Sequence, residues 1–282
     1  MEVIRTVADL RARLEPERRA GRTVGMVGTS GGMHAGHQSL IRRAAEENDI
    51  AALFWGGAPA DLSWHSGSTT AQARDAGHDF PLAEEAGCAF LFAPPGEVMF
   101  PRPPATIVTL PSFSNGSAQL EDPAHLDLIA LAMCKLWNMF GPCANYFGEK
   151  DWQQLVMFQR LAADLEFPVT VLGSATIRDN TGLALSSRNA RLSDEQLAVA
   201  PTLYRALCAS RDAVLQGAVT AEATHIFTST VCDTAEVVYF AVVNAPTMTP
   251  VDVPAGSVRL LASIELGDTR LVDNVGADLA IA

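Results

Sequence analysis

His34 and His37, two histidines three positions apart, are the residues of this chain whose types and spacing best suit phosphate binding. They follow an apolar segment and a run of small residues, so the sequence predicts that they lie where a buried strand leads into a helix. Unpaired N–H groups and the positive dipole end at a helix start attract anions, and imidazoles there can donate to phosphate oxygens. Gly36 would let a nucleotide approach the backbone closely. A metal-binding pair, or ordinary capping and core histidines, are the alternatives.

A second pair of charged residues, Lys150 and Asp151, closely follows the apolar segment 144–147. In open α/β sheets, ligands bind beyond the carboxyl ends of the strands, so we expect both side chains to face the same crevice as the histidines. The lysine could neutralise phosphate, and the aspartate could hold a ribose hydroxyl or Mg²⁺. A solvated charged turn is the alternative.

Two hydroxyls and a guanidinium, Ser186, Ser187 and Arg188, form a third group. In a loop between domains they could cover a triphosphate and stabilise a phosphoryl group during transfer. In isolation the same residues are equally typical of a helix N-cap and turn. The chain has no GxSxG motif, no P-loop and no cysteine with an evident histidine partner, so the three groups together favour nucleotide binding over hydrolysis through a nucleophile.

The elements that must position these residues follow from hydrophobic periodicity. A helix is predicted over 3–14 and a strand over 23–27; a small-residue loop, a helix to residue 45 and a strand over 50–55 come next. This order is typical of a parallel α/β sheet with right-handed crossovers. Further strands are predicted at 88–93, 107–110, 144–147 and 169–172, and helices at 79–86, 125–138 and 152–165. The segment 56–77, rich in small residues, gives no clear prediction.

The pattern changes after residue 178. A helical region is predicted over 192–216, and strands over 237–243 and 258–264. We therefore expect a parallel α/β domain over residues 1–174 and a smaller α+β domain over 175–282.

Composition excludes several classes of protein. The 282 residues include 20 Lys and Arg against 32 Asp and Glu, a net charge of −12, which argues against general binding to nucleic acid or an anionic membrane. No apolar run approaches the roughly 20 residues that span a bilayer, and the charged N-terminus does not resemble a signal peptide. Five cysteines, never spaced CxxC, indicate a reduced cytoplasmic protein without a structural zinc site.

Several motifs resemble those of one enzyme family over nearly the whole chain. The segment 34–37 is similar to the HIGH signature, 147–154 to FGEKDxQQ, and 182–189 to the loop equivalent to KMSKS; 135–138 and 269–274 match as well. By these motifs the chain resembles the pantothenate synthetase (pantoate–β-alanine ligase) family of the HIGH nucleotidyltransferase superfamily.

The resemblance implies a Rossmann-like domain, a C-terminal lid domain, a homodimer and dependence on ATP and Mg²⁺. It also implies a two-step reaction, in which a carboxylate and ATP form an acyl adenylate and an amine then displaces AMP. The residues matched to stabilisation of phosphate charge are His34, His37, Lys150, Ser186, Ser187 and Arg188. Those matched to nucleotide binding are Thr29, Gly36, Gly148 and Asp151, and Gln154 matches a glutamine that binds the acid.

Departures from the family pattern cluster where the acid and amine would bind. Ser30 lies in an altered loop, and Gly56 and Pro59 stand where the family has an asparagine and a glutamine. Asp127 replaces an arginine and could pair with a cationic group of the substrate; a helix N-terminal acid without that role is the alternative.

These departures predict a ligase for small carboxylic acids and amines with altered specificity. The alternatives are a true pantothenate synthetase, a nucleotidyltransferase that acts on a phosphorylated acceptor, and a non-catalytic nucleotide-binding protein.

Overall fold

The computed structural model describes residues 1–56, 75–100, 104–114 and 122–280. Pro59 and most of the segment 56–77 lie outside these residues. The described chain forms two compact units. The first contains the described parts of residues 1–114, 121–149 and 157–175, and the second contains residues 150–156 and the chain from 176 onward.

The strands of the first unit are connected by helices. In chain order they are β1 (Glu2–Ile4), α1 (Val7–Arg19), β2 (Val24–Thr29), α2 (Ala35–Glu47), β3 (Ile50–Trp55), α3 (Ala76–Glu85), β4 (Phe90–Phe92), α4 (Gly96–Met99), α5 (Pro111–Ser114), α6 (Pro123–Phe140), β5 (Cys143–Gly148), α7 (Trp152–Asp164) and β6 (Val169–Ser174). The strands form a six-stranded sheet in the order β1-β4-β3-β2-β5-β6, and every neighbouring pair is parallel.

The central strands are apolar because helices cover the sheet. Val27, Leu53 and Leu91, from three neighbouring strands, are fully buried in one cluster with Ile41 of α2 and Ala83 of α3. Since β2 and β5 are adjacent and parallel, both end at the same edge of the sheet. The segments that follow them carry the histidine pair and the lysine, respectively.

The second unit consists mainly of three helices and an antiparallel sheet. These elements are α8 (Asp194–Val199), α9 (Thr202–Leu215), α10 (Thr220–Thr230), β7 (Glu236–Asn244), β8 (Ser257–Leu266) and β9 (Thr269–Asp278), with the strands in the order β7-β8-β9. Its core joins Leu207 of α9, Phe227 of α10 and Leu260 of β8. A parallel sheet with helices, followed by a smaller α+β part, confirms the fold class expected from the sequence.

Two predicted elements were wrong. Residue 3 does not begin a helix, because Val3 lies in the short strand β1 beside Leu91, and α1 begins only at Val7, where the Thr6 hydroxyl caps it by accepting from Asp9 N. The segment 107–110 is not a strand, and Ile107 is 68% exposed. Helix α10 and strand β9 were not predicted. Among the described residues, no helix combines the length and the apolar character needed to cross a membrane.

Candidate active site

His34 and His37 begin helix α2 and cap it reciprocally. His34 is the N-cap residue, and its Nδ1 accepts a hydrogen bond from Gly36 N at 3.1 Å. The Nδ1 of His37 accepts from His34 N at 3.4 Å, and the ring centroids lie 4.3 Å apart. Since both Nδ1 atoms accept, the proton of each neutral ring is assigned to Nε2. The capping alternative is therefore realised, and it leaves Nε2–H as the donor of each ring.

Thr29 ends strand β2 and contacts the histidine pair. Its Oγ1 lies 3.2 Å from His37 Nε2 and accepts from Gly31 N at 3.1 Å. The neighbouring Ser30 is exposed. Thr29 is buried, so it orients His37 from the end of β2.

Gly36 is required by the histidine cap itself. A Cβ at this position would lie 2.8 Å from Cε1 and 2.9 Å from Nδ1 of His34. The sequence prediction attributed this glycine to nucleotide approach. The structure adds a second reason, because only glycine admits the His34 ring over the first turn of α2.

Asp79 of α3 holds the loop before the histidines, and sequence analysis missed it. Its carboxylate is fully buried and accepts hydrogen bonds from Gly32 N at 3.1 Å, Met33 N at 2.8 Å and Trp55 Nε1 at 2.7 Å, with His78 Nδ1 at 3.1 Å. Burial by itself raises the pKa of the Asp79 carboxyl, but the hydrogen bonds outweigh it and hold the pKa below its ordinary value.

A signal for Asp79 was present in the sequence. Asp79 and Ala83 are spaced four residues apart, Ala86 at the C-cap follows three residues later, and all are buried, so they mark the inward face of α3. A carboxylate on such a face indicates buried donors opposite it.

The remaining candidates of the first unit differ in the space around them. A Cβ on Gly148, at the end of β5, would meet no atom within 4 Å, so a ligand has room to approach there. Gly56 is buried and donates to the Thr29 carbonyl at 3.0 Å, and a Cβ there would lie 2.7 Å from the Phe54 ring. Asp127 is half-buried in α6 and accepts from Thr109 Oγ1 at 2.9 Å.

The other candidate residues belong to the second unit, and the structure brings two of their motifs together. Lys150 lies in a short 3₁₀ turn before α7, its side chain is 16% exposed, and its Nζ is 3.8 Å from Asp151 Oδ1. A pocket of this unit is lined by Lys150 together with Ser186 and Arg188. Asp151 is exposed and Gln154 is half-buried.

The serine–arginine segment adopts the turn that was the alternative interpretation. Ser186 caps a 3₁₀ turn over Ser187–Arg191, and its Oγ accepts from Arg188 N at 3.2 Å. Ser187 is half-buried and the Arg188 side chain is exposed. Within the described residues, no group of three or more His, Cys, Asp or Glu side chains could hold a metal ion.

Comparisons with known proteins agree over the full length. The Pantoate-beta-alanine ligase family model matches residues 2–276. Pantothenate synthetase 1 of Frankia alni is 44% identical over 285 residues, with 98% of each chain covered. The pantothenate synthetase of Cereibacter sphaeroides (strain ATCC 17023) is 40% identical over 281 residues, covering 97% of this chain and 98% of the relative.

Solved structures give the same result. Pantothenate synthetase from Thermus thermophilus superposes with a TM-score of 0.87 at 36% identity, covering 98% of this chain and 99% of that one. The Francisella tularensis pantoate-beta-alanine ligase, solved in complex with "Beta-gamma ATP and Beta-alanine", has a TM-score of 0.75 at 22% identity, which supports the fold alone.

The family indicated by the sequence motifs is confirmed, and so is the predicted class of ATP-dependent, amide-forming ligases. The chain belongs to the pantoate–beta-alanine ligase family.

Proposed function

We propose that this protein joins a carboxylic acid to an amine through an acyl adenylate. A carboxylate oxygen attacks the α-phosphorus of ATP and pyrophosphate leaves; the amine nitrogen then attacks the acyl carbon, AMP leaves and the amine loses a proton. The observation that carries the proposal is the pocket that Lys150, Ser186 and Arg188 line together. Arg270 adds a third cationic group to its lining and Asp273 a carboxylate.

The residues act by position and charge, without a covalent enzyme intermediate. His34 would donate from Nε2 to phosphate oxygens, and His37 would exchange its Nε2 contact with Thr29 Oγ1 for a phosphate oxygen when the nucleotide binds. Lys150, Ser186, Ser187 and Arg188 would stabilise the charge that develops on the phosphates. Mg²⁺, when bound, would neutralise phosphate charge, since it prefers oxygen ligands and is usually bound through substrate phosphates. Thr29, Gly36, Gly148 and Asp151 are the proposed contacts of adenosine.

The finer proposal concerns which acid is used. Gly56 has no side-chain amide where the family pattern has an asparagine. The Phe54 ring occupies the space that a side chain at this position would enter. Ser30, Gln154 and Asp127 are the other proposed substrate contacts. Each missing polar partner leaves a buried substrate group unpaired, at about 1–3 kcal/mol. These features favour an acid other than pantoate.

Pantoate and β-alanine are the second candidate pair. The family match over residues 2–276, and relatives that carry the name pantothenate synthetase, favour this pair.

ATP–pyrophosphate exchange with a panel of carboxylic acids, pantoate included and no amine added, tests both candidates. We expect Mg²⁺-dependent exchange, and we expect His34→Asn to reduce it about 100-fold because one donor to the developing charge is lost. Exchange with pantoate as the best acid would reject altered specificity. Exchange with no acid would reject the adenylation step itself.

The role of Asp127 has a matched control on the same helix. If its carboxylate pairs with a cationic group of the acid, Asp127→Asn should raise the KM of that acid about 5-fold, the value of an ion pair worth about 1 kcal/mol. Asp122, the N-cap of α6, provides the control, because Asp122→Asn removes an equal charge and keeps the cap. Equal KM values in the two variants would contradict the assignment.

The homodimer and the separate roles of the two domains, which the resemblance implies, are also part of the proposal. Residues 1–174 would bind the nucleotide and 175–282 would act as the lid domain of a homodimer. Sedimentation equilibrium checks the dimer, which should have twice the 30.0 kDa chain mass.

A further inference from the structure

Asp273 and Asn274, consecutive residues of strand β9, contact two segments that carry the proposed phosphate-binding residues. Asn274 Nδ2 donates to the carbonyl oxygen of Lys150 at 2.8 Å. Asp273 accepts both guanidinium branches of Arg178, at 2.5 and 2.9 Å. Both side chains are buried, 4% and 3% exposed. Two adjacent residues of β9 therefore contact both Lys150 and Arg178, which precedes the serine–arginine segment.

Arg178 transmits the contact with Asp273 to the segment 182–188. Its Nη1 donates to the Gly182 carbonyl at 3.1 Å, and its guanidinium lies 3.7 Å from the centroid of the Tyr204 ring. Gly182 has φ +94°, and a Cβ there would lie 2.7 Å from Tyr204 Cδ1. A bidentate ion pair, a hydrogen bond and a stacked ring thus fix the start of the segment that leads to Ser186 and Arg188.

The amide of Asn274 is held in one orientation. Its Oδ1 accepts from Arg259 Nε at 2.6 Å, so its Nδ2 must face the Lys150 carbonyl. Arg259 in turn lies 3.8 Å from the centroid of the Trp152 ring, and Trp152 Nε1 donates to the Ala245 carbonyl at 3.1 Å. The Lys150 backbone is therefore hydrogen-bonded to β9. The ring of Trp152, two residues later, is stacked against Arg259 of β8.

We propose that Asp273 and Asn274 are positioning residues, which set Lys150 and the Ser186–Arg188 segment in the relative placement that adenylation requires. The inference rests on the proposed function, because it assumes that these groups act on the phosphates of ATP. Both carboxylate oxygens of Asp273 are engaged by Arg178, and Oδ1 also accepts from Asn274 N at 2.8 Å. Its contact with the segment 182–188 passes through Arg178. A displacement of about 1 Å in such a site can cost about 100-fold in rate.

Three variants and one control test the inference. Asp273→Asn removes the negative charge opposite Arg178. Arg178→Lys is a milder change, which keeps the positive charge and loses the bidentate contact with Asp273. Asn274→Ala removes the hydrogen-bond donor to the Lys150 carbonyl. Ser210→Ala is the matched control, because it deletes another buried side-chain bond to a carbonyl in the same unit, Ser210 Oγ to Ala223 O at 3.0 Å. Each variant is compared by thermal unfolding, by ATP–pyrophosphate exchange and by hydrogen exchange of the amides of residues 183–188.

We expect Asp273→Asn and Arg178→Lys to lower kcat for pyrophosphate exchange by about 100-fold, with a much smaller change in the KM for ATP. Hydrogen exchange of residues 183–188 should become at least about 10-fold faster in both. Asn274→Ala should lower kcat while these amides keep their protection. Ser210→Ala should change only the thermal stability.

Three results would overturn the inference: faster amide exchange with an unchanged kcat, unchanged amide exchange in Asp273→Asn and Arg178→Lys, or an equal loss of kcat in Ser210→Ala. If the wild-type protein shows no pyrophosphate exchange with any acid, the proposed function fails instead. Hydrogen exchange of the amides of residues 183–188 then decides the positioning inference, which requires it to be at least about 10-fold faster in Asp273→Asn and in Arg178→Lys.

Discussion

Gly36 and Gly148 have the same predicted role in sequence, but the structure separates them. At Gly36 a Cβ would collide with the His34 ring, whereas at Gly148 it would meet open space. The first glycine is needed for the cap of α2 whether or not a nucleotide is bound. The second is not required by any neighbouring atom of the described chain, so its value would lie in what approaches it.

Substitution by alanine should therefore affect stability at Gly36 and the KM for ATP at Gly148. Gly36→Ala should displace the His34 ring and lower the free energy of unfolding by about 1 kcal/mol, the usual value of an N-cap. Gly148→Ala should leave that free energy within about 0.5 kcal/mol but raise the KM for ATP. Urea unfolding and ATP–pyrophosphate exchange measure the two effects. An unchanged KM in Gly148→Ala would remove this glycine from the proposed nucleotide contacts.

The site residues predicted from sequence share one property: the residues that form each motif lie within a few positions of one another in the chain. His34 with His37, and Lys150 with Asp151, are recognisable from type and spacing within a few positions. The partners of Asp79 could not be found in this way, because its backbone donors are 46 and 47 residues distant. The same holds for Asn274 and Lys150, which are 124 residues apart.

At the scale of elements, the loop between β2 and α2 is held from a helix that lies later in the chain. Asp79 of α3 binds two backbone N–H groups of this loop and the indole of Trp55 at the end of β3. The loop thus depends on one buried carboxylate. Since its pKa is held below the ordinary value, the charged form is the one that stabilises the folded state.

This dependence predicts how stability changes with pH. Asp79→Asn should lower the free energy of unfolding by about 2–3 kcal/mol at pH 7, the value of hydrogen bonds to a charged group. The wild-type advantage is fully present above the unfolded-state pKa of about 3.9 and is lost as the pH falls through the lower folded-state pKa. Urea unfolding of both proteins between pH 3 and 7 should therefore show the two curves converging below about pH 4.

Asp75 provides the control for this experiment. It is the exposed N-cap of the same helix, and Asp75→Asn keeps the cap because asparagine is an equally good N-cap residue. Its stability should follow that of the wild type at every pH. A difference between wild type and Asp79→Asn that does not shrink in acid would show that the asparagine fails for reasons of shape, and would contradict the role assigned to the charge.

The elements themselves were largely predictable because apolar periodicity and caps are local. Strand β5 and helix α7, for example, begin and end within one or two residues of the prediction. The exceptions are short or depend on distant partners. Strand β1 has three residues and exists because β4 pairs with it. In strand β9 apolar and polar residues alternate less clearly, and the strand is defined by its ten-residue pairing with β8.

At the scale of the whole molecule, the proposed nucleotide contacts are divided between two units that have separate cores. His34, His37 and Thr29 belong to the first, and Lys150, Ser186 and Arg188 to the second. The cores around Leu53 and around Leu207 are distinct clusters. If one ATP molecule contacts residues of both units, as the proposed function holds, opening of either unit releases part of its contacts, so ATP stabilises both units.

Hydrogen exchange of one core strand in each unit tests this coupling. At ATP about 100 times above its dissociation constant, binding contributes about 2.7 kcal/mol, so exchange should slow by about 100-fold in β4 and in β8. Arg188→Gln should abolish this protection in both strands, although Arg188 belongs to the second unit alone. Arg191→Gln, in the same exposed 3₁₀ turn, is the matched control and should keep it. Protection that persists in β4 of Arg188→Gln would mean that the first unit binds ATP without help from the serine–arginine segment, and the proposed sharing of the phosphates would be wrong.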